Sequence, residues 1–438
     1  MRLEKTLQII LEMNVRTLLV ALCALMLIAS CKKNNNNDVS PTSITLKPIT
    51  MTGKTVKLEW SKLINDSLIS YTIVRVTDTT AGNTNTNNTL TFINVAKTVT
   101  EYTDTLVLSP YAQYYVMANV KSLYYSLPIQ SNKETYYRTD IDFSAMVAQD
   151  ALYDRTAQQI YIYSSAGNIA VYDLASKKFV RSINTNATIG TCDMAMYNGK
   201  LELYVPRNDG WVFIYDAATL TQTDQISVGN TASSITCNNG KLFVSATNNY
   251  YSNVVLAYDR ATKTSVTPNT GYYYSTSYLA LIPNTNSEFF CVDNSSQVLL
   301  FRFDAQGNYV SQSISAISGN YQFSNPAVVY PNGSKVICGS YGVIVDSNLR
   351  TAVALPRGNV TYTSFAIDGT GNTIYAATNN KSIQAYDMGN YQLTKNYSTV
   401  GSPVKVFYNN GKLITVSVTA PTPYYYYTSG EYTFVEQL

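Results

Sequence analysis

The sequence predicts an all-β chain in which a two-layer sandwich precedes a ring of seven four-stranded units. Three observations carry that expectation. Short apolar runs with period two, separated by Asn, Gly, Ser and Thr, fill most of residues 43–438, the pattern of half-buried strands joined by tight turns. A strand ending in Asp recurs at Asp173, Asp216, Asp259, Asp304, Asp346 and Asp387, 41 to 45 residues apart. A turn leading into an apolar strand occurs seven times, at Ile160, Leu201, Leu242, Phe289, Val336, Ile374 and Leu413.

Composition narrows the function classes. At 438 residues the chain is long enough for two or three domains. Only 13% of residues are charged, so Asn, Thr, Ser and Tyr must cover much of the surface. Beyond residue 30 the chain holds 28 basic and 26 acidic side chains, a net of +2. That balance lacks the basic footprint of a nucleic-acid-binding surface. The absence of His removes the commonest general base and the commonest zinc ligand, and neither a metal nor a cofactor is expected. Cys192, Cys237, Cys291 and Cys338 show no metal-ligand spacing. Buried free thiols are the favoured reading, a disulfide the alternative. Cys291 and Cys338 occupy matching positions in successive repeats, which points to one inward-facing site.

At the N-terminus, Leu18 to Ala29 is an unbroken apolar run of 12 residues, preceded by Arg16 and closed by Ser30-Cys31. This is the length of a signal-peptide core and too short to span a bilayer. Glu4 and Glu12 are foreign to a basic leader, so Met13 is the expected natural start. The stretch Leu27-Ile28-Ala29-Ser30-Cys31 resembles the lipobox of bacterial lipoproteins. That resemblance implies a signal peptide over 1–30 and a membrane partner reached through lipid on Cys31. Multiple acyl chains anchor stably where one is marginal. Lys32 in place of Asp implies the outer membrane, with the protein periplasmic or surface-facing. Residues 31–42 then form a polar tether.

In residues 43–138, Val56 to Trp60 and Tyr71 to Val76 alternate strictly, and about seven strands fit the segment, the size of an immunoglobulin-like sandwich. Trp60 at the end of a strand, Leu108-Ser109-Pro110 followed by Tyr114, and Ser131-Asn132 near the end resemble a fibronectin type III domain. Trp60 and Tyr114 are expected to pack the core, and the module to act as a spacer.

Residues 140–438 hold the repeat. Three of its turns read Asn-Gly-Lys, at Asn198, Asn239 and Asn410; Asn-Gly is the strongest short hairpin signal because both residues accept positive φ. Seven units of about 42 residues predict a seven-bladed β-propeller. Tyr215-Asp216, Val228-Gly229 and Asn239 to Val244, echoed by Tyr386-Asp387, Val400-Gly401 and Asn410 to Leu413, resemble the YVTN-type, WD40-like bacterial propeller repeat. The recurring Asp residues are expected to cap turns. Closure of the ring by a strand around Ile141 to Val147 is compatible with the sequence but not required by it.

Propeller geometry puts the middle turns of each unit and the segments joining units on one face. That face collects Arg207, Asp209, Tyr250, Tyr251, Tyr272, Tyr273, Tyr274, Tyr321, Tyr341, Tyr362, Tyr424 and Tyr425, which are the candidate ligand-binding residues. Tyr among Asn and Gln suits sugar rings or peptide backbones. The same Tyr residues also read as strand formers and filler, and the sequence leaves both readings open. The expectation is a non-catalytic envelope lipoprotein that binds a glycan, peptide or protein. The rivals are a propeller enzyme of lyase or lactonase type, drawing on Arg207, Asp209, Asp293 and Lys381, and a structural scaffold of an envelope complex.

Overall fold

The computed structural model describes residues 43–438 except 53–54, 78–88, 106–107, 122–127, 249–251, 268–271, 274–276, 286–287, 294–296, 316–325, 351, 369, 371 and 420–431. The described residues form strands and turns with no helix.

Residues 43–138 make two antiparallel sheets around one core. Thr50–Thr52, Thr55–Glu59 and Glu101–Asp104 form the smaller sheet. The larger one runs Thr89–Ala96, Leu68–Thr77 and Tyr111–Val120, with Ile129–Gln130 and Glu134–Tyr137 both paired to the last. Alternation sends Val56, Leu58, Tyr71, Ile73, Tyr114, Val116 and Ala118 into the shared core. Trp60 packs edge-on against Tyr71 at 5.7 Å. A buried ion pair crosses the layers: Arg75 Nη1 lies 2.7 Å from Asp104 Oδ2. Tyr114 donates its hydroxyl to that same carboxylate oxygen at 3.0 Å, because a carboxylate out of water must have its lone pairs met. Asn132 fastens the entry of the chain, accepting from Leu46 N at 2.7 Å and donating to Leu46 O at 3.0 Å.

From Asp150 onward, seven antiparallel sheets follow one another along the chain. Their first strands are Asp150–Asp154, Asp193–Tyr197, Thr231–Asn238, Ser277–Leu281, Ala327–Val329, Tyr362–Ile367 and Ser402–Asn409. Each of the seven apolar second strands expected from the sequence is present, from Gln159–Tyr163 to Lys412–Val418. Each sheet shares an apolar cluster with the next. Tyr161 and Val171 meet Leu203 and Val205; Tyr204 and Ile214 meet Leu242 and Val244; Phe243 and Val255 meet Phe289 and Leu299. Phe290 and Leu300 meet Val336 and Val345; Ile337 and Ile344 meet Ile374 and Tyr386; Ala377 and Ile383 meet Val406 and Leu413. The last cluster returns to the start, with Ile160, Ile162 and Tyr172 against Ile414, Val416 and Val435. Burying one such side chain stabilises by about 1.5–3 kcal/mol, so every sheet depends on both neighbours. This cyclic order of small antiparallel sheets is compatible with a β-propeller.

The recurring motif has a local cause. In five sheets the register shifts immediately before the aromatic residue that precedes Asp, as between Val171 and Tyr172 or Ala385 and Tyr386. The bulge re-aims the strand into a turn. The Asp then caps that turn: Asp173 Oδ1 accepts Ser176 N at 2.7 Å, and Asp216, Asp259, Asp304, Asp346 and Asp387 act alike. Asn198, Asn239 and Asn410 adopt φ of 48°, 49° and 49° with a positive-φ Gly after each, the type I′ hairpins that the Asn-Gly pairs predict.

The seventh sheet contains Ser402–Asn409, Lys412–Val418 and Thr433–Gln437. Residues preceding the first sheet add to its free edge: Ser144 N donates to Thr433 O at 2.8 Å and Thr433 N to Ser144 O at 2.9 Å. The closing contact that the sequence left open is therefore made. All four described cysteines are buried and outside any disulfide, with Cys291 and Cys338 each facing the preceding sheet.

Candidate functional site

Hydrogen bonds put the middle turns and the joining segments at one end of the sheets. Ile189 N donates to Ser165 O, Asn208 N to Thr188 O, Tyr362 N to Ser340 O and Thr399 N to Lys381 O. On this face Arg207 and Asp209 are brought together. Arg207 Nε lies 3.1 Å from both Asp209 oxygens, Nη1 donates to Thr185 O at 2.8 Å, and the guanidinium covers the Phe213 ring at 4.0 Å. Those contacts hold the Asp209 carboxyl below the usual carboxylate range, the Arg207 hydrogen bond being the main cause. Arg207 is buried and its donors are engaged, so it works as a clamp between the first and second sheets.

Tyr341, on the fifth sheet, is half-buried against the core and carries the Arg357 guanidinium over its ring at 3.9 Å. Arg357 is itself fixed by donating to Val360 O at 2.9 Å. Tyr362 is not an exposed loop residue. It is 2% exposed, its hydroxyl is 2.6 Å from that of Tyr386, and Gly342 packs directly on its ring. The alternation of Tyr362–Ile367 turns it inward, which the joining-segment reading overlooked. Tyr272–Tyr273 pairs as a short strand with Ser252–Asp259 rather than forming a loop. Cys31, Tyr250, Tyr251, Tyr274, Tyr321, Tyr424 and Tyr425 lie outside the described residues. The structure thus unites Arg207 with Asp209 and Tyr341 with Arg357, three sheets apart.

A second constellation sits in the middle of the cycle, where first strands of successive sheets adjoin. Lys405 of the seventh sheet lies 2.7 Å from Asp150 of the first, both buried. Burial disfavours the Lys405 ammonium, but the charge and hydrogen bond of Asp150 outweigh it and raise the group above its ordinary value. Tyr278, from the fourth sheet, feels Lys405, Asp150 and Asp193 electrostatically, and burial pushes its hydroxyl up to about 12.

Asp193 is part-exposed as a residue, yet protein surrounds its carboxylate. It accepts Cys237 N at 2.8 Å and Thr236 Oγ1 at 3.2 Å through Oδ2, and its own neighbour Met194 N through Oδ1. Burial outweighs these bonds and pushes the carboxyl up to about 6. The group can hold or release a proton near neutrality, and that is the chemistry the cluster offers. Sequence reasoning missed Asp150, Asp193, Tyr278 and Lys405. The signal was present: charged residues interrupt first strands that are otherwise apolar or small. Among the described residues no group of three or more Cys, Asp or Glu is placed to hold a metal ion.

No known family profile matches the chain, and no curated protein matches it. Among solved structures, hydrazine synthase of Kuenenia stuttgartiensis is similar at 13% identity and a TM-score of 0.49, covering 62% of this chain and 92% of that one.

Proposed function

We propose that the chain is a non-catalytic, lipid-anchored lipoprotein of the bacterial outer membrane. In this reading a seven-bladed, YVTN-like propeller binds a glycan, peptide or protein, and a fibronectin type III-like sandwich holds it away from the membrane. The Tyr341–Arg357 stack carries the binding reading. A half-buried ring with a guanidinium laid over it at 3.9 Å is a rigid pair that presents the guanidinium and the ring edge rather than an open ring face, and pre-ordered side chains bind at low entropic cost. The neighbouring charges support recognition over chemistry, since Arg207 and Asp209 are spent on each other. The order of three and five strands about Trp60 supports the sandwich assignment, and the cyclic packing of seven sheets supports the propeller.

A glycan and peptide array probed with the full chain tests this reading, beside a Tyr341→Ala variant shown to be folded. Binding that disappears in the variant supports the face; no binding by the wild-type chain defeats it. Replacing Cys31 with Ser tests the anchor, and an unchanged membrane fraction would remove it.

One observation favours a second reading. An enclosed carboxyl pushed up to about 6 and electrostatically linked to Tyr278 is a pattern that enzymes also use. Enclosure by the first strands argues against substrate access, and turnover of a sugar or lactone that fails in Asp193→Asn would reverse the preference.

A further inference from the structure

The interfaces between the first three sheets can be superposed residue by residue through the repeat. Arg181 stands opposite Val171, and Asp224 opposite Ile214, each just before the bulge of its sheet. Gln159 pairs with Asp173 as Glu202 pairs with Asp216. Ala217 follows the capping Asp216 as Arg260 follows Asp259. Between the second and third sheets these positions form a closed ion network. Arg260 donates to Glu202 through Nε at 2.9 Å and Nη2 at 2.8 Å, and to Asp224 through Nη1 at 2.9 Å.

Between the first and second sheets the same place is built differently. Ala217 stands where Arg260 would fill the space, and the outer-strand charge is inverted, Arg181 for Asp224. A cleft of about 400 Å³ remains, floored by Tyr161 and walled by Leu201, Ala217 and Ala218, with exposed Lys200 on its rim. Tyr161 turns its hydroxyl to Ala217 O at 2.9 Å. Arg181 Nη2 donates to Gln159 Oε1 at 2.6 Å, but its Nε is buried without a hydrogen-bond partner. The carboxylates at the rim are engaged elsewhere: Asp154 caps Thr156 N and Ala157 N, and Asp216 caps Thr219. A buried, orphaned guanidinium donor is costly unless something completes it.

We propose that this cleft is a binding site for a small organic carboxylate, whose oxygens pair with Arg181 while its body packs on Tyr161, Leu201 and Ala217. The volume lies in the range of small-ligand pockets, and a guanidinium lining a cleft is the group with which Arg recognises carboxylates. The site is at the opposite end of the sheets from Tyr341 and does not depend on the reading of that face.

Calorimetric titration of the full chain tests the proposal with three carboxylates and their neutral twins: glucuronate against glucose, N-acetylalanine against its amide, and benzoate against benzamide. At least one acid is expected to bind, ten-fold or more tighter than its twin. The acid that binds tells a sugar acid from a peptide terminus or an aryl acid. Arg181→Gln should weaken that binding ten-fold or more. The double variant Ala217→Arg with Arg181→Asp rebuilds the ion pair of the next interface. It should stay as heat-stable as the wild type and bind no acid. Absence of binding for all three acids overturns the proposal, as does unchanged affinity in folded Arg181→Gln.

Discussion

Lys405 Nζ lies 2.7 Å from Asp150 Oδ1, and the contact ties the seventh sheet to the first where the cycle closes. Both side chains are almost wholly buried. Removing one partner leaves the other charged and desolvated, which costs about 3–5 kcal/mol, whereas replacing both with apolar groups is often neutral. Lys405→Met is therefore expected to lower the denaturant midpoint sharply, and Lys405→Met with Asp150→Leu to recover most of the loss. Equal losses in the single and double variants would show that packing, not the ion pair, sets the effect.

The same seam depends on a hydroxyl. Thr433 is fully buried; its Oγ1 accepts Ala148 N at 2.9 Å and donates to Met146 O at 2.6 Å. Thr433→Val keeps the shape and orphans both groups, at about 1–3 kcal/mol each when buried. Hydrogen exchange read by mass spectrometry should show faster opening of residues 144–148 and of Thr433–Gln437, with the third to fifth sheets unaffected at low denaturant. Uniform acceleration across all sheets would mean that the cycle opens only as a whole.

Much of this architecture is legible in the sequence because it is written in local chemistry. Asn239-Gly240 needs no partner elsewhere to declare a hairpin, and the Asp at 173, 216 and 259 caps a turn three residues away. Period-two alternation similarly reveals the cores around Tyr71 and Tyr114. The long-range pairs are not legible. Asp150 and Lys405 meet only because seven sheets bring residue 405 back to residue 150. Arg207 reads as an exposed loop cation, yet its donors find Thr185 O and Asp209 and its face finds Phe213. Tyr362 shows the converse limit: its position in a joining segment says nothing of the strand phase that buries it.

Turn residues offer a local test of that legibility. Lys177 is exposed and sits at φ 57° in the turn capped by Asp173. A side chain there strains the left-handed backbone by about 1–2 kcal/mol, part of which glycine recovers. Lys177→Gly should raise stability by about 0.5–1 kcal/mol, and Asn239→Ala, at φ 49°, should lower it by about 1 kcal/mol. Opposite signs in chemical denaturation check the pair; equal signs would show that the turns tolerate either conformation.

Asp193 makes stability depend on pH in a direction opposite to that of the turn-capping and paired carboxylates. Burial pushes its folded value up to about 6, above the ordinary value of 3.8. Between those values the folded chain binds more protons than the unfolded one, so this group's contribution to stability falls as pH rises from about 4 to about 6 and is flat outside that window. The full effect is at most about 3 kcal/mol. Asp259, lowered to about 2 chiefly by the Lys241 hydrogen bond, acts the other way: its stabilisation is present above the unfolded value and is lost as pH falls toward 2. Lys405, raised, and Tyr278, near 12, stay in one charge state across the window. Subtracting the pH–stability curve of Asp193→Asn from that of the wild-type chain isolates the buried carboxyl. The difference should decline between pH 4 and 6. A flat difference would place Asp193 in contact with bulk water, and a rising one would mean that its bonds from Cys237, Thr236 and Met194 outweigh its burial.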